Sequence, residues 1–462
     1  MALPTDFILR TQALLGDEYP LLEAALRTEP PVSVRFNTRK TAIPDTCTEP
    51  VPWCRTGFYL PQRLPFTFDP LFHAGAYYVQ EAASMFLEQA IRHCVTTPVK
   101  CLDLCAAPGG KSTHLAGILP EGSLLVSNEV IRSRSYILNE NLIKWGYPDV
   151  IVTNDDPEEI GRLTGFFDVV VADVPCSGEG MFRKDAASAG EWSVANVQLC
   201  AARQRRIIED VWSALRPGGL LIYSTCTYNT EENEENVRYI AEELGAEAVS
   251  LPVPAGWNIT GALAHSRPVH RFLPHRTQGE GFFLAVLRKT GDVEKSAATY
   301  RNKKKEKKKA SLPVPAAAKS WISRPERYEF ETVQDTVRAF TGPYYADYRQ
   351  LSGTLHLLHA GIEIGKIKGK DLQPAQALAL STAFNRNAFP SVEIGWKEAI
   401  DYLRREPVAV PDTVAKGHVL LTYAGLPLGF VKQLGNRTNN LYPQEWRIRT
   451  TYLPESEPRF FR

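Results

Sequence analysis

The chain has 462 residues, of which 44% are hydrophobic and 23% are charged, a composition typical of soluble globular proteins with two to four domains. The N-terminal segment MALPTDFILRTQALLG lacks the basic and apolar regions of a secretory signal, and no apolar stretch reaches the roughly 20 residues that span a bilayer. We therefore expect a protein that is neither secreted nor membrane-spanning, and we expect no membrane partner. The formal net charge of +1 leaves a polyanionic partner open, because basic residues are concentrated locally.

The eight cysteines form no C-x-x-C pairs, and no nearby histidine completes a zinc pattern. We therefore expect no metal site. Two of the cysteines follow strands that resemble active-site strands, where an oxidising environment would be harmful. This placement favours a cytoplasmic location.

The N-terminal part combines a helix with short strands. Residues 5–28 are predicted to be helical, because leucines recur on their apolar faces. Pro30 and Pro31 end this helix, and the segment VSVRFNTRK, 32–40, is predicted to be extended. We expect a small α+β domain over 1–70. Three of its basic residues are as compatible with surface charges as with RNA contacts: Arg35, Arg39 and Lys40.

Residues 71–290 alternate between strands and helices. A helix is predicted first, over 76–91. The predicted strands are 99–105, 124–129, 150–153, 168–173, 220–226 and 281–288. The predicted helices between them are 111–119, 133–146, 196–215 and 231–244. This alternation predicts a mostly parallel sheet covered on both faces, as in a Rossmann-like α/β domain.

The composition changes after this domain. Residues 291–320 include RNKKKEKKK at 301–309 and are predicted to be a basic linker. An intermediate domain is expected over 321–400 and a compact β-rich domain over 401–462. The β-rich segment interleaves basic and aromatic residues, which is a weak indication of nucleic-acid binding.

The most informative motif is VKCLDLCAAPGGKSTHLA, residues 99–116, which predicts a strand, a tight turn and a helix. Gly109 and Gly110 allow a ligand to approach the backbone closely, and the helix start favours an anionic group. The glycine spacing matches neither a dinucleotide-binding loop nor a phosphate loop. A ligand with a nucleoside and one carboxylate fits better, which indicates S-adenosylmethionine. Glu129, 19 residues after Gly110, is placed to bind the ribose; an ordinary turn followed by a surface glutamate is the alternative.

Two further strands end in polar residues and a cysteine. One ends at Asp173 and is followed by Cys176, and the other ends at Thr225-Cys226. Inert buried thiols are the alternative to a reactive pair. Methylation of a pyrimidine at C5 requires a thiolate to add to C6, a carboxyl group at N3 and a base that removes the C5 proton. Asp173 suits N3, the two cysteines would divide nucleophile and release roles, and Lys111 could hold the base or lower a thiol pKa.

Three motifs resemble those of the Nop/Sun family of RNA cytosine-5 methyltransferases: LDLCAAPGGK, ADVPCSGEG and YSTCTYNTEENE. The resemblance covers roughly residues 70–290. The segment GLPLGFVKQLGNRTNNLYPQEWR resembles the PUA-like tail of the bacterial RsmF group, and RFNTRK is similar to the N-terminal domain of that group. The implied fold is a Rossmann-like methyltransferase core between a small α+β domain and a β-rich PUA-like domain.

The resemblance implies specific roles. Cys226 is the implied nucleophile and Cys176 the residue that assists product release. The implied cofactor contacts are Cys105, Ala106, Ala107, Pro108, Gly109, Gly110, Lys111, Glu129, Arg134, Asp156 and Asp173. The T-N-x-D spacing selects Asp156 over Asp155, and for Arg134 an ordinary position on a helix surface is an equal alternative.

The implied function is S-adenosylmethionine-dependent formation of 5-methylcytosine in RNA, and the resemblance to the RsmF group implies small-subunit ribosomal RNA as the substrate and a monomer as the active form. Three alternatives remain open: a transfer RNA methyltransferase, a non-catalytic RNA-binding assembly factor, and a DNA methyltransferase with Cys176 as nucleophile. The target base must be unpaired or flipped out to reach a thiol. We expect the N-terminal domain, the linker and the tail to bind RNA.

Overall fold

The computed structural model describes residues 3–184, 186–291 and 312–458. The segment 301–309, which carries the prediction of a basic linker, lies outside the described residues. Within the described ranges, no helix is both long enough and apolar enough to cross a membrane.

The N-terminal region contains two helices, a short helical turn and a three-stranded sheet. Its elements are α1 (Thr5–Leu15), α2 (Tyr19–Leu26), β1 (Val32–Phe36), β2 (Gly57–Leu60), α3 (Pro70–His73) and β3 (Tyr77–Val79). The sheet is antiparallel in the order β2-β1-β3. The single helix predicted over 5–28 is two helices, because Gly16 adopts a φ of 55° and ends α1.

The prediction of one helix over 76–91 is wrong in its first half. Tyr77–Val79 is a strand, and a 3-10 turn over Ala83–Phe86 precedes the helix α4, Leu87–Cys94. Tyrosine and valine favour strands, and β1 offers backbone partners to this segment. That pairing depends on residues about 40 positions away, so the local pattern does not reveal it.

The central region follows the alternation predicted from the sequence. Its elements after α4 are β4 (Lys100–Asp103), α5 (Gly110–Ile118), β5 (Leu124–Asn128), α6 (Arg132–Trp145), β6 (Val150–Thr153), α7 (Pro157–Gly161), β7 (Phe167–Asp173), α8 (Ala186–Glu191), α9 (Val194–Trp212), β8 (Leu215–Thr225), α10 (Glu234–Glu242), β9 (Ala246–Val249), β10 (His270–Phe272) and β11 (Phe282–Lys289). The predicted α/β fold is confirmed.

The C-terminal region is rich in strands, as predicted. Its elements are α11 (Ala316–Ser320), β12 (Tyr328–Val333), β13 (Thr336–Thr341), α12 (Tyr345–Ser352), β14 (Leu357–Ala360), β15 (Ile362–Lys368), β16 (Asp371–Pro374), α13 (Gln376–Leu380), β17 (Ser391–Glu393), α14 (Trp396–Arg404), β18 (Gly417–Tyr423), β19 (Leu426–Gln433) and β20 (Thr438–Asn440). All of these strands except β14 form two four-stranded sheets, in the orders β12-β13-β15-β16 and β17-β18-β19-β20.

The core sheet has the order β10-β11-β8-β7-β4-β5-β6-β14, with β9 paired to β11. Strands β4 to β8 are parallel, whereas β9, β10, β11 and β14 add antiparallel pairs at the two sides. Strand β7 is buried over Val169–Ala172 because helices cover both faces of the parallel strands. The carboxyl ends of β4, β5, β7 and β8 therefore meet at one edge, where ligands bind in open α/β sheets.

The C-terminal region also packs against the N-terminal region. The indole Nε1 of Trp396 donates a hydrogen bond of 2.8 Å to the carbonyl of Phe68. Side chains of both regions share one apolar cluster, which includes Val34, Phe36 and Val419. The domain boundaries drawn from the sequence remain predictions.

Candidate active site

The loop between β4 and α5 turns tightly at the carboxyl edge of the sheet. Gly109 adopts a φ of 116°, a conformation that favours glycine, and Gly110 begins α5. Earlier in the turn, the Ala106 amide donates to the Asn128 carbonyl at 2.8 Å, and burial raises the pKa of the Cys105 thiol. The predicted strand-turn-helix geometry of this segment is confirmed.

Two side chains of α6 hold the middle of this turn. Arg134 Nη2 donates to the Ala107 carbonyl at 2.9 Å, and Asn141 Nδ2 donates to the Pro108 carbonyl at 2.8 Å. Arg134 is thus more than an isolated charge on a helix surface, since it connects α6 to the turn. Asn141 makes the same kind of contact, although the sequence offered no reason to single it out.

The acid predicted to bind a ribose lies just beyond β5. Glu129 is buried, its Oε1 accepts from the Ile131 amide at 2.9 Å, and its Oε2 lies 3.5 Å from Arg134 Nη1. The backbone and an arginine therefore fix the orientation of this carboxylate. Its role in binding a ribose remains a prediction.

The two candidate aspartates after β6 have different surroundings. Asp156 is exposed and caps α7, where it accepts from the Glu158 amide at 3.2 Å. Both carboxylate oxygens of Asp155 lie 3.0 Å from the His356 amide, which immediately precedes β14. The carboxylate of Asp155 is therefore bonded to the backbone of His356. The carboxylate of Asp156 is exposed, as the predicted contact with the cofactor requires.

The two candidate catalytic cysteines are in contact. Their Sγ atoms lie 3.1 Å apart, both thiols are free, and the Cys226 amide points at Cys176 Sγ at 3.4 Å. The hydrogen bond with Cys226, followed by burial, raises the pKa of the Cys176 thiol well above its usual range. Cys176 therefore retains its proton and can donate it to the sulfur of Cys226.

Lys111 and Asp173 form an ion pair beside the thiols. Lys111 Nζ lies 2.8 Å from Asp173 Oδ2, and Ser224 Oγ donates to Asp173 Oδ1 at 2.7 Å. Burial would lower the pKa of Lys111, but the charge and hydrogen bond of Asp173 and the nearby Asp103 and Cys226 raise it overall. Lys111 therefore stays positively charged and holds one oxygen of Asp173 in place.

Sequence reasoning missed two glutamates that join the cysteine loops. Glu179, in the loop of Cys176, reaches the segment after Cys226, where its Oε2 accepts three hydrogen bonds of 2.7–2.9 Å: from Thr227 Oγ1, Tyr228 N and Asn229 N. Glu232 reaches back in the opposite direction and accepts from the Ser177 amide at 3.0 Å. Glu179 lies in the motif ADVPCSGEG and Glu232 in the motif YSTCTYNTEENE, so the motifs could have identified both residues.

A third missed group is Asp103, at the end of β4. It is fully buried, and its Oδ2 accepts from Ser112 Oγ at 2.6 Å. Its Oδ1 is buried and has no hydrogen-bond partner among the described residues. Burial, opposed by Ser112 and Lys111, raises the pKa of Asp103 to about 7.

Arg35 and Lys40 are neither surface charges nor placed as RNA contacts, so both roles considered for them from the sequence are wrong. Arg35 is 1% exposed and donates to Gln80 Oε1 at 2.8 Å and to Thr113 Oγ1 at 2.6 Å. Lys40 Nζ donates to backbone carbonyls, among them that of Ala74 at 2.8 Å. Arg35 is an internal connector because strand β1 packs against the core, and Lys40, which follows β1 and is half-buried, bonds its ammonium to the backbone. Arg39, in contrast, is exposed.

Three parts of the chain match models of known protein families. The model described as 16S rRNA methyltransferase RsmB/F matches residues 96–288. The N-terminal domain of 16S rRNA methyltransferase RsmF matches residues 3–82, and the methyltransferase RsmF PUA domain matches residues 389–448.

Similar proteins cover most of the chain. It is 32% identical over 439 residues to ribosomal RNA small subunit methyltransferase F of Cronobacter sakazakii, covering 89% of each protein. It is 30% identical to the protein of the same name from Erwinia tasmaniensis, covering 96% of each. A solved methyltransferase homologue from Pyrococcus horikoshii is 28% identical, with a TM-score of 0.53 over 62% of this chain and 95% of the homologue. The chain belongs to the family of ribosomal RNA small subunit methyltransferase F.

Proposed function

We propose that this protein transfers a methyl group from S-adenosylmethionine to C5 of a cytosine in small-subunit ribosomal RNA. Family membership supports the rRNA methyltransferase activity. The observation that carries the chemistry is the contact between Cys176 and Cys226, beside the Lys111–Asp173 ion pair.

The residues around the turn fit such a methyl donor. Gly109 supplies the positive φ that the turn requires, and Glu129 offers carboxylate oxygens for ribose hydroxyls. Val130 and Ile131, which follow Glu129, are about half exposed and offer an apolar surface for an adenine. The unpartnered Oδ1 of Asp103 offers a further acceptor. The donor would supply an electrophilic methyl group.

Cys226 is the proposed nucleophile. Its thiolate would add to C6 of the cytosine and so make C5 electron-rich. The S–H of Cys176, which keeps its proton, stabilises a negative charge on Cys226 Sγ across 3.1 Å. Lys111 lies close enough to Cys226 for their charges to interact.

Asp173 is the proposed partner of N3. Lys111 and Ser224 each hold one of its oxygens, so these two contacts fix the orientation of the carboxylate. Negative charge that develops at N3 during thiolate addition requires a proton shared at this position. Lys111 Nζ would pass a proton through Asp173 to N3, which leaves the amine neutral until N3 returns the proton as the C5–C6 double bond forms again.

Cys176 is the proposed release residue. After methyl transfer, a base removes the proton from C5, the electron pair forms the C5–C6 double bond, and the bond from C6 to Cys226 Sγ breaks. The Cys176 thiol lies where it can protonate or hydrogen-bond the departing thiolate. We therefore expect the covalent complex to persist when Cys176 is absent.

The test compares Cys226→Ala and Cys176→Ala with the wild type, using labelled S-adenosylmethionine and small-subunit RNA. We expect Cys226→Ala to lose methyl transfer by at least about 1,000-fold and to form no denaturation-resistant protein–RNA band, because the nucleophile is gone. Cys176→Ala should accumulate that band. Cys200→Ala, which removes a buried thiol on α9, is the matched control and should behave as the wild type.

The outcomes separate the alternatives. A Cys176→Ala protein that cannot form the adduct would reverse the roles of the two thiols. Methyl transfer to transfer RNA but not to small-subunit RNA would overturn the proposed substrate. A wild type that binds RNA without transferring a methyl group would favour an assembly factor.

A further inference from the structure

The first two turns of α6 expose an unusual group of side chains. Tyr136 and Ile137 are each 50% exposed, and Arg132 is exposed beside them. From Val130 to Ile137 the chain carries two arginines and no acidic residue. We call Arg132, Tyr136 and Ile137 the α6 surface. Large apolar side chains grouped on a solvent-facing helix often mark an interaction site.

This surface faces away from the core of the protein. The opposite side of α6 is buried through Ser135, Leu138 and Leu142. The Tyr136 hydroxyl accepts from Arg132 Nε and Nη2 at 3.3 Å, and the guanidinium carbon lies 5.9 Å from the ring centroid. An exposed aromatic ring and a cation are thus held next to each other without taking part in core packing.

The α6 surface adjoins the candidate active site. Helix α6 begins after the carboxyl end of β5, and Arg134 and Asn141 bind the turn between β4 and α5. Cys226 follows β8 at the same carboxyl edge of the sheet, so an RNA strand with one base at Cys226 can extend along this edge. The first two turns of α6 lie on that edge.

We propose that the α6 surface binds the RNA strand beside the target cytosine, with a base stacked on Tyr136 and Ile137 and a phosphate paired with Arg132. This inference rests on the function proposed above. A base offers an aromatic face to Tyr136, and a phosphate offers a negative charge to Arg132, so RNA complements both features of the surface. A protein partner would need an acidic side chain next to an apolar or aromatic one to complement both.

The experiment measures the affinity of the full-length protein for naked small-subunit ribosomal RNA over a series of salt concentrations. Tyr136→Ala should weaken binding by about 5- to 100-fold, because it removes a stacked base. Arg132→Ala should reduce the slope of log affinity against log salt by about 0.7, the contribution of one phosphate contact to a single strand. The affinity for S-adenosylmethionine should stay unchanged in both variants.

Two matched variants control for the loss of an exposed side chain elsewhere. Leu199→Ala removes a 58% exposed apolar residue from α9. Arg216→Ala removes an arginine from the amino end of β8, at the opposite edge of the sheet, where it pairs with Asp168. Both should bind RNA as the wild type does.

Three outcomes overturn the inference. RNA affinity and salt slope equal to the wild type would show that the α6 surface does not contact RNA. Normal binding of naked RNA with reduced methylation of assembled subunits would assign it to a protein partner. Reduced affinity for S-adenosylmethionine alone would assign it to the donor site. If wild-type methyl transfer fails while the RNA results hold, the proposed function fails and the surface remains an RNA site.

Discussion

Asp103 is a buried carboxyl group with one bonded and one unpartnered oxygen. Its Oδ2 accepts from Ser112, whereas its Oδ1 has no partner among the described side chains and backbone. Burial raises its pKa from 3.8 to about 7, against the effects of Ser112 and Lys111. The folded protein therefore holds this proton more tightly than the unfolded chain does.

The stability of the ligand-free protein should therefore fall as Asp103 ionises. The contribution of this group is fully present below about pH 4 and is lost as the pH rises through about 7. Relative to Asp103→Asn, we expect the free energy of unfolding of the wild type to decrease by up to about 4 kcal/mol over this range. Urea unfolding at a series of pH values measures the difference. A difference that does not change with pH would contradict the raised pKa.

At the scale of elements, Arg35 connects β1 of the N-terminal region to the first turn of α5. Besides Gln80 and Thr113, it donates to the Gly110 carbonyl at 3.3 Å. Burial lowers the pKa of Arg35 to about 10, so the guanidinium stays charged at neutral pH. The N-terminal region therefore helps to position the helix that carries Lys111.

Replacing this arginine should affect both stability and donor binding. Arg35→Lys removes the guanidinium group that donates to the Gly110 carbonyl and to Thr113 Oγ1. Because these buried acceptors lose their donor, we expect a loss of about 2–3 kcal/mol in the free energy of unfolding. The KM for S-adenosylmethionine should rise, because the start of α5 is less constrained. Arg39→Lys, at an exposed position, is the control. Equal behaviour of the two variants in urea unfolding and methyl-transfer assays would refute the connection.

At the scale of the whole molecule, the C-terminal region completes the core sheet. Strand β14 pairs with β6, and residues of both the N-terminal and C-terminal regions fill one apolar cluster. The C-terminal region is thus a structural part of the core and not a separately packed appendage. Its removal leaves β6 as an unpaired edge, and unpaired edges promote aggregation.

A chain truncated after residue 311 should therefore aggregate or unfold at a lower temperature than the full chain. Size-exclusion chromatography and thermal unfolding would show the change, and co-expression of residues 312–462 should restore a soluble complex. A monodisperse truncated protein with the wild-type midpoint would contradict the role of β14. Because the deletion also disturbs the core sheet, a loss of RNA affinity would not identify an RNA contact in the tail. Point variants of exposed residues in the tail must test such a contact.

The sequence by itself determined the alternation of strands and helices, the glycine turn at residues 105–111, and the positions of Cys176 and Cys226 at strand ends. These features follow from local hydrophobic periodicity and turn chemistry. Parallel strands also place their carboxyl ends at one edge, so the meeting of the two cysteines was predictable in outline.

Only the tertiary structure decided the 3.1 Å contact of the two sulfur atoms, the burial of Arg35, the strand at Tyr77–Val79 and the pairing of β14 with β6. Each depends on partners that are distant in sequence. A hydrogen-bond acceptor, a free strand edge or a desolvated pocket exists only after the chain has folded, and it can override the preference of a local segment. The local pattern therefore predicts the chemistry that the site offers, while tertiary packing sets its geometry.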